Sequence, residues 1–197
     1  GSYNSATGIL TLSSSGATAT VAQWQAALRA VTWTDFAVTP NTATRTVGFT
    51  VNDGTKNSAV ATRQITVTAT DQTPIVTTSG GSVAFTAGDN TVSTPVVIDS
   101  AITISDSDNT TLASATVAIT GNFHAAEDVL AFTNTSGATF GNIVASYNSG
   151  TGVLTLTSSG ATATVSQWQS ALRAVTWADG ATTPNTATRV ISITVND

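Results

Sequence analysis

The chain has 197 residues but contains no cysteine, only one lysine and one histidine, and only 9% charged residues. The absence of cysteine excludes disulfides and thiolate metal sites. Isopeptide cross-links need a lysine side chain, and Lys56 is the only lysine in the sequence. A protein without disulfides must obtain its rigidity from another source, and bound metal ions are one such source.

The charge balance is acidic, with a formal net charge of -5 and an isoelectric point of about 4.4. Nucleic acids demand a basic face, so we expect no nucleic-acid partner, whereas divalent cations are compatible with this charge. No apolar run reaches the length of about 18 residues that a membrane span needs. No signal peptide opens the chain, and we expect it to be a piece of a longer protein.

The sequence offers little for catalysis. His124 is the only histidine. A lone histidine next to Asn122 and Phe123 is more typical of a surface loop than of a catalytic base. No nucleophile motif of the G-x-S-x-G type is present. The acidic residues cluster at turns and linkers, whereas glycoside hydrolysis needs two acids facing each other across a cleft. We therefore predict that the chain is not an enzyme.

The strongest feature is an internal repeat. Residues 1–53 and 145–197 agree at 40 of 53 positions without a gap, at an offset of 144 residues. This period is too long for a solenoid unit and fits a string of whole domains, each with its own core.

The module boundary is predicted at Asp71-Gln72-Thr73-Pro74, because Pro74 has no amide hydrogen and interrupts strand pairing. Residues 1–70 then form the C-terminal half of one repeat. Residues 71–197 form a second repeat without its final strand, so that Ala187–Asp197 is expected to be a sheet edge.

Short strand patterns separated by turn signals predict an all-β fold, with antiparallel β-sandwich modules in tandem and one short helix in each. Helices are predicted at Thr20–Arg29 and Thr164–Arg173, with Val21, Trp24 and Leu28 on one face. A hairpin is expected around Asn52-Asp53-Gly54. The predicted strands are 9–12, 47–51, 59–68, 83–86, 96–99, 102–105, 115–120, 129–132, 143–147, 153–156 and 191–195.

The four tryptophans permit two interpretations. A row of exposed Trp side chains is typical of a carbohydrate-binding platform, and a carbohydrate- or matrix-binding module of a secreted enzyme is the alternative function. Trp24 and Trp168, however, lie on the apolar helix face, and Trp33 and Trp177 alternate with Thr as inward strand positions. Core packing is therefore favoured.

Several strings together resemble the cadherin-like repeats of giant bacterial adhesins that are exported by type I secretion: ATVAQWQAALRAVTW, TRTVGFTVNDG, ATRQITVTATDQTP, ITISDSDNTTLASATVAITG and EDVLAF. The resemblance implies a non-enzymatic stalk on the bacterial cell surface that acts in adhesion or biofilm formation. It implies neighbouring repeats of the same chain as partners, and homophilic, host or matrix contacts as further ones.

The same resemblance implies calcium at module junctions, held by a D-x-D motif, an acidic pair and an acidic linker. The linker here lacks the Asn and the second Asp of the family pattern. Calcium takes six to eight oxygen ligands. An EF-hand loop that starts at Asp106 is excluded, because Thr111 replaces its Gly at position six and Val117 replaces its Glu at position twelve. Alternatively, Asp106–Asn109 is a solvated turn whose side chains cap backbone amides. The candidate ligands are Asp71, Asp106, Asp108, Asn109, Glu127 and Asp128.

Overall fold

The computed structural model describes residues 1–89 and 91–197, which form two compact units: unit 1, Gly1–Thr70, and unit 2, Asp71–Asp197. Strands dominate both units, and the strand pairs are antiparallel. The predicted all-β fold is confirmed. The assignment of the two units to partial and nearly complete cadherin-like repeats stays a prediction.

Unit 1 consists of two separate hairpins and a helix. Strands β1 (Ser2–Asn4) and β2 (Ile9–Thr11) form the first hairpin, and helix α1 (Val21–Arg29) follows. Strands β3 (Arg45–Phe49) and β4 (Ala61–Ile65) form the second hairpin. Every residue of unit 1 keeps some solvent exposure, so this unit has no fully buried core.

Unit 2 is an antiparallel β-sandwich. One sheet has four strands in the order β10-β11-β8-β13, a second has the order β6-β12-β9, and β5 pairs with β7. The elements are β5 (Ile75–Thr77), β6 (Val96–Val97), β7 (Thr103–Ser105), β8 (Ser114–Gly121), β9 (Asp128–Ala131), α2 (Gly137–Phe140), β10 (Ile143–Asn148), β11 (Val153–Ser158), α3 (Val165–Arg173), β12 (Thr176–Asp179) and β13 (Val190–Asn196).

The core of unit 2 follows from alternation along its strands. In β8, Ala115, Val117 and Ile119 point inward and are buried, while the residues between them keep partial exposure. Leu154 and Leu156 of β11 do the same. Each fully buried aliphatic side chain of this size contributes roughly 1.5–3 kcal/mol through the hydrophobic effect.

Both nine-residue helices begin where the sequence predicts. Thr20 and Thr164 each cap a helix through a capping box, in which the Thr side chain accepts from the Gln three residues later and that Gln reaches back. Helix α3 buries Trp168, Ala171 and Leu172 in the core, at the helical spacing of three and four residues.

Two details differ from the sequence-based expectation. The predicted strand at residues 83–86 is absent; Phe85 instead packs edge-on against Trp177, with ring centroids 4.7 Å apart. The short helix α2 was not predicted, and it begins where the Ser136 side chain accepts from the amide of Thr139. The other predicted strands are confirmed, most with bounds that differ by a few residues.

Candidate functional site

The oxygen-rich loops of unit 2 meet at one end of its sheets. The linker before β5 and the loop after β7 approach each other because Ile75 pairs with Ser105. Four carboxylates and one amide gather there, which we call the acidic cluster: Asp71, Asp106, Asp108, Asn109 and Asp197.

Asn109 stands between two carboxylates of the acidic cluster. Its side-chain nitrogen donates to Asp71 Oδ1 and to Asp197 Oδ2, both at 3.2 Å. The backbone amide of Gln72 donates to Asp108 Oδ2 at 2.9 Å. Hydrogen bonds to side-chain oxygens therefore connect the loop after β7 to the linker and to the end of β13.

Asp106 forms the turn that the alternative interpretation describes. Its Oδ1 accepts from the amides of Asp108 at 3.0 Å and Asn109 at 2.9 Å. Its Oδ2 is buried and has no hydrogen-bond partner within the described residues. A buried carboxylate oxygen without a donor is unusual and costly, because the charge has lost water without gaining a partner.

The two carboxylates of the D-x-D motif have opposite pKa shifts. Burial alone raises the pKa of Asp106, but the amides of Asn109 and Asp108 outweigh it and lower the pKa below the usual value. Burial also raises the pKa of Asp108, and the negative charges of Asp106 and Asp71 add to that increase. The cluster therefore favours any positive charge that approaches it.

Glu127 and Asp128 do not join the acidic cluster. Asp197 lies next to the start of β8, because Asn196 pairs with Ser114. Asp128 lies beyond the other end of β8, which is Gly121. Eight residues of strand separate the two ends by roughly 20 Å or more. The expectation that this acidic pair shares one ion with Asp106 and Asp108 is therefore not met by the geometry.

Asp128 is instead part of a buried charge network, the Arg189 network. The Nε of Arg189 donates to both Asp128 oxygens, at 3.0 and 3.1 Å, and a terminal nitrogen donates to Asp179 at 2.9 Å. The His124 amide donates to Asp128 at 2.7 Å. Asp128 and Asp179 are fully buried. The carboxylate oxygens of both residues accept hydrogen bonds from protein donors. Sequence spacing gave no signal for this contact, because 61 residues separate Asp128 from Arg189.

No set of three or more carboxylate or imidazole side chains converges as a metal centre anywhere in residues 1–89 or 91–197. His124 forms a partly exposed pair with Glu127, with Nδ1 3.7 Å from Oε2. Within the same residues, no helix has the length and apolar character that a membrane crossing requires.

The tryptophans do not share one environment. Trp168 is fully buried, and its Nε1 donates to the carbonyl of Leu112 at 2.8 Å. Trp24 and Trp177 are half-buried. Trp33 is 43% exposed, with the Arg45 guanidinium 5.9 Å from its ring centroid. Core packing is confirmed for Trp168 and is wrong for Trp33, which is exposed and, contrary to the prediction, does not lie in a strand.

Comparison with known proteins shows similarity to part of a much longer protein. No family model and no solved structure matches the sequence. Halomucin of Haloquadratum walsbyi (strain DSM 16790 / HBSQ001) is 36% identical over 142 residues, which cover 71% of this chain and 2% of halomucin. The chain therefore spans a very small part of that relative.

Proposed function

We propose that the chain is a non-enzymatic structural repeat of a very long protein at the cell surface. The 144-residue internal repeat carries this proposal, since 40 of 53 compared positions are identical. Repeated sandwich modules add length without adding new chemistry, because each module contributes its own core. The similarity of 71% of the chain to 2% of halomucin supports a parent protein of great length.

In this proposal the modules are cadherin-like, and calcium stiffens the linker where it enters unit 2. The acidic cluster supplies oxygen donors of the kind that calcium takes. Asp106 Oδ2 is buried and has no hydrogen-bond partner in the described residues. Asp108 lies close to the negative charges of Asp106 and Asp71. Both features favour a cation at this end of the sheets.

Coordination at the acidic cluster requires its carboxylates, which do not converge as a metal centre in the described residues, to move closer together. It also requires the Asn109 side chain to turn. The Asn109 amide presents nitrogen to Asp71 and Asp197, whereas an ion needs oxygen. Rotation of this amide by half a turn exchanges nitrogen for oxygen at little steric cost, because the two ends have nearly the same size. Bound calcium then replaces the amide hydrogens as the positive partner of both carboxylates.

Calcium titration by calorimetry, combined with thermal unfolding, tests the metal part. Extracellular modules bind calcium at about 10⁻⁴–10⁻³ M. At about 10 mM calcium such a site stabilises unit 2 by about 1.4–2.7 kcal/mol. The double variant Asp106→Asn/Asp108→Asn is expected to lose this gain.

Asp99→Asn is the matched control, because Asp99 caps a different loop of unit 2 by accepting from the amides of Ser79 and Ala101. This variant is expected to keep the calcium response. An unchanged melting temperature of the parent chain in millimolar calcium removes the metal from the proposal and leaves the structural repeat in place.

The surface location has its own test. An antibody raised against the chain is expected to label intact cells of the source organism, and external protease is expected to remove the label. A signal that appears only after cell lysis contradicts a surface role. Carbohydrate binding through a tryptophan platform has less support, because Trp33 is the one exposed tryptophan of the four and is exposed to only 43%.

A further inference from the structure

Unit 2 presents a broad face to solvent that carries no charge. Residues of β8, β10, β11 and β13 point alternately into the core and away from it. We call the outward side chains the hydroxyl face; they are every second residue of 114–120, 144–148, 153–157 and 192–196. Eight of these thirteen side chains are Ser or Thr, two are Asn and three are Ala or Val, so hydroxyl groups and small apolar groups define the chemistry of the face.

The hydroxyl groups are aligned across the four strands. Ser146 pairs with Thr155, and Thr155 pairs with Thr116. Thr116 also pairs with Thr194, so one row of four hydroxyl side chains crosses the whole sheet. The hydroxyls of Thr116 and Thr194 are hydrogen-bonded to each other, and the β-branched side chain of Thr has few rotamers. Little side-chain freedom is therefore lost when a partner docks on this row.

The repeat displays this row more than once. Repeat twins, which are residues 144 positions apart, are identical at the three row positions that residues 1–53 include: Ser2, Thr11 and Thr50. A tandem array of modules therefore displays similar hydroxyl faces at intervals of one module.

The charged residues of unit 2 lie outside the hydroxyl face. Asp106 and Asp108 lie in the loop after β7. Asp128 and Asp179 are fully buried and are bound by Arg189. Although the chain has a formal net charge of -5, two hydroxyl faces can therefore come together without bringing like charges into contact.

The chemistry of the hydroxyl face matches a second copy of itself. A hydroxyl group both donates and accepts hydrogen bonds, so two such faces satisfy each other's polar groups. An apolar partner leaves these hydroxyls buried without partners, and a charged partner finds no opposite charge. A neutral polysaccharide offers hydroxyls as well, but the face has no aromatic side chain on which a sugar ring stacks. A copy of the same module is the partner that the face fits best.

We propose that the hydroxyl face is a lateral contact between modules of neighbouring chains, which pack side by side in a two-fold arrangement. The strand spacing and rise give each face an area of roughly 400 Å². Two faces then bury roughly 800 Å², whereas stable interfaces bury about 1,200 Å² or more. One pair of modules therefore associates weakly, and several modules on each chain are needed for a lasting contact. The need for several modules rests on the proposed tandem array, whereas the contact itself does not.

Beads that carry many copies of the chain reproduce this multiplicity without a longer protein. The full chain is coupled through its N-terminus to beads at high density, and the rate of bead aggregation is measured by light scattering. Parent beads are expected to aggregate, because many weak contacts form at once. The variant Thr155→Glu places a charge at the centre of the hydroxyl face and is expected to slow aggregation by about tenfold or more.

Two controls separate the hydroxyl face from the rest of the chain. Ser166→Glu makes the same change of charge on the exposed side of α3 and is expected to aggregate like the parent. Thr155→Lys beads are expected to fail alone. A mixture of Thr155→Lys and Thr155→Glu beads is expected to regain at least about half of the parent rate, since opposite charges then meet across the contact. Thermal unfolding of each variant checks that unit 2 remains folded.

Parent beads that stay dispersed overturn the proposal. Aggregation that Thr155→Glu leaves unchanged, or that the mixture of Lys and Glu beads does not restore, also overturns it, because the contact then lies elsewhere on the chain. Aggregation that requires an added neutral polysaccharide overturns it as well, because the face then binds a glycan and not a second copy. Each of these results leaves the structural repeat of the proposed function in place.

Discussion

Arg189 donates through Nε to both carboxylate oxygens of Asp128, at 3.0 and 3.1 Å, although the Asp128 side chain is fully buried. This contact joins the start of β9 to the residue before β13, and Asp179 shares the same guanidinium. A buried carboxylate is stable only when it is paired and hydrogen-bonded. The pair therefore holds the two sheets of unit 2 at this end, opposite the acidic cluster.

Arg189→Ala is expected to lower the free energy of unfolding of unit 2 by about 3–5 kcal/mol, because it leaves two buried carboxylates without their partner. Urea unfolding followed by circular dichroism measures the change. Its repeat twin Arg45→Ala is the control and is expected to cost less than about 1 kcal/mol, since the Arg45–Asp35 pair is partly exposed. Equal losses in the two variants contradict the buried network.

Trp168→Ala is expected to destabilise unit 2 by about 3–5 kcal/mol, because it opens a cavity in the core and removes the donor to the Leu112 carbonyl. Trp24→Ala makes the same chemical change at the half-buried repeat twin and is expected to cost clearly less. Chemical unfolding of both variants under the same conditions gives the comparison. A larger loss for Trp24 than for Trp168 contradicts the assignment of the core to unit 2.

Gly152→Ala is expected to destabilise unit 2 by about 2–4 kcal/mol, which combines left-handed strain with an overpacked contact. Gly152 has φ +71°, and an added Cβ lies 2.7 Å from the Phe123 ring. Gly8 is its repeat twin, with φ +69° and open space around the Cβ position. Gly8→Ala is therefore expected to show only the conformational cost, and hydrogen exchange in each unit separates the two effects.

The turn after β3 gives a prediction on pH. Asp53 Oδ1 accepts from the amides of Thr55 and Lys56. The bond from Lys56, followed by those from Thr55, lowers the Asp53 pKa from 3.8 to about 2. A lowered folded-state pKa stabilises the turn above the unfolded pKa of 3.8, and this contribution is lost as the pH falls toward 2.

A carboxyl-detected NMR titration is expected to place the Asp53 midpoint near pH 2. In Asp53→Asn the acid-dependent change at the amides of Thr55 and Lys56 is expected to vanish. A midpoint near 3.8 in the parent chain contradicts the hydrogen-bonded turn.

Much of the fold could be predicted from local patterns in the sequence. Thr20 and Thr164, each followed three residues later by Gln, specify the helix starts through contacts within one turn. Alternation in β8 and β13 specifies which side chains face the core. Residues 83–86 carry the same local pattern without forming a strand, because strand formation also needs a partner edge that the local sequence does not report.

The candidate site was less predictable than the fold. The loop Asp106–Asn109 and Asp71 do come together, because β5 and β7 pair next to them. Asp128 resembles a calcium ligand in its local sequence but is bound by Arg189, which lies 61 residues away. Asp197 joins the acidic cluster only because β13 ends there. Such long-range contacts depend on the tertiary fold and have no local signature.

Force spectroscopy of a concatenated protein tests the structural role most directly. Several copies of residues 54–197, one full period each, are joined and stretched between a surface and a cantilever. We predict a series of equal unfolding events, each releasing close to 144 residues, or roughly 50 nm of extended chain. One event for the whole concatemer, or unequal lengths unrelated to the 144-residue period, contradicts a chain of independently folded repeats that provides reach.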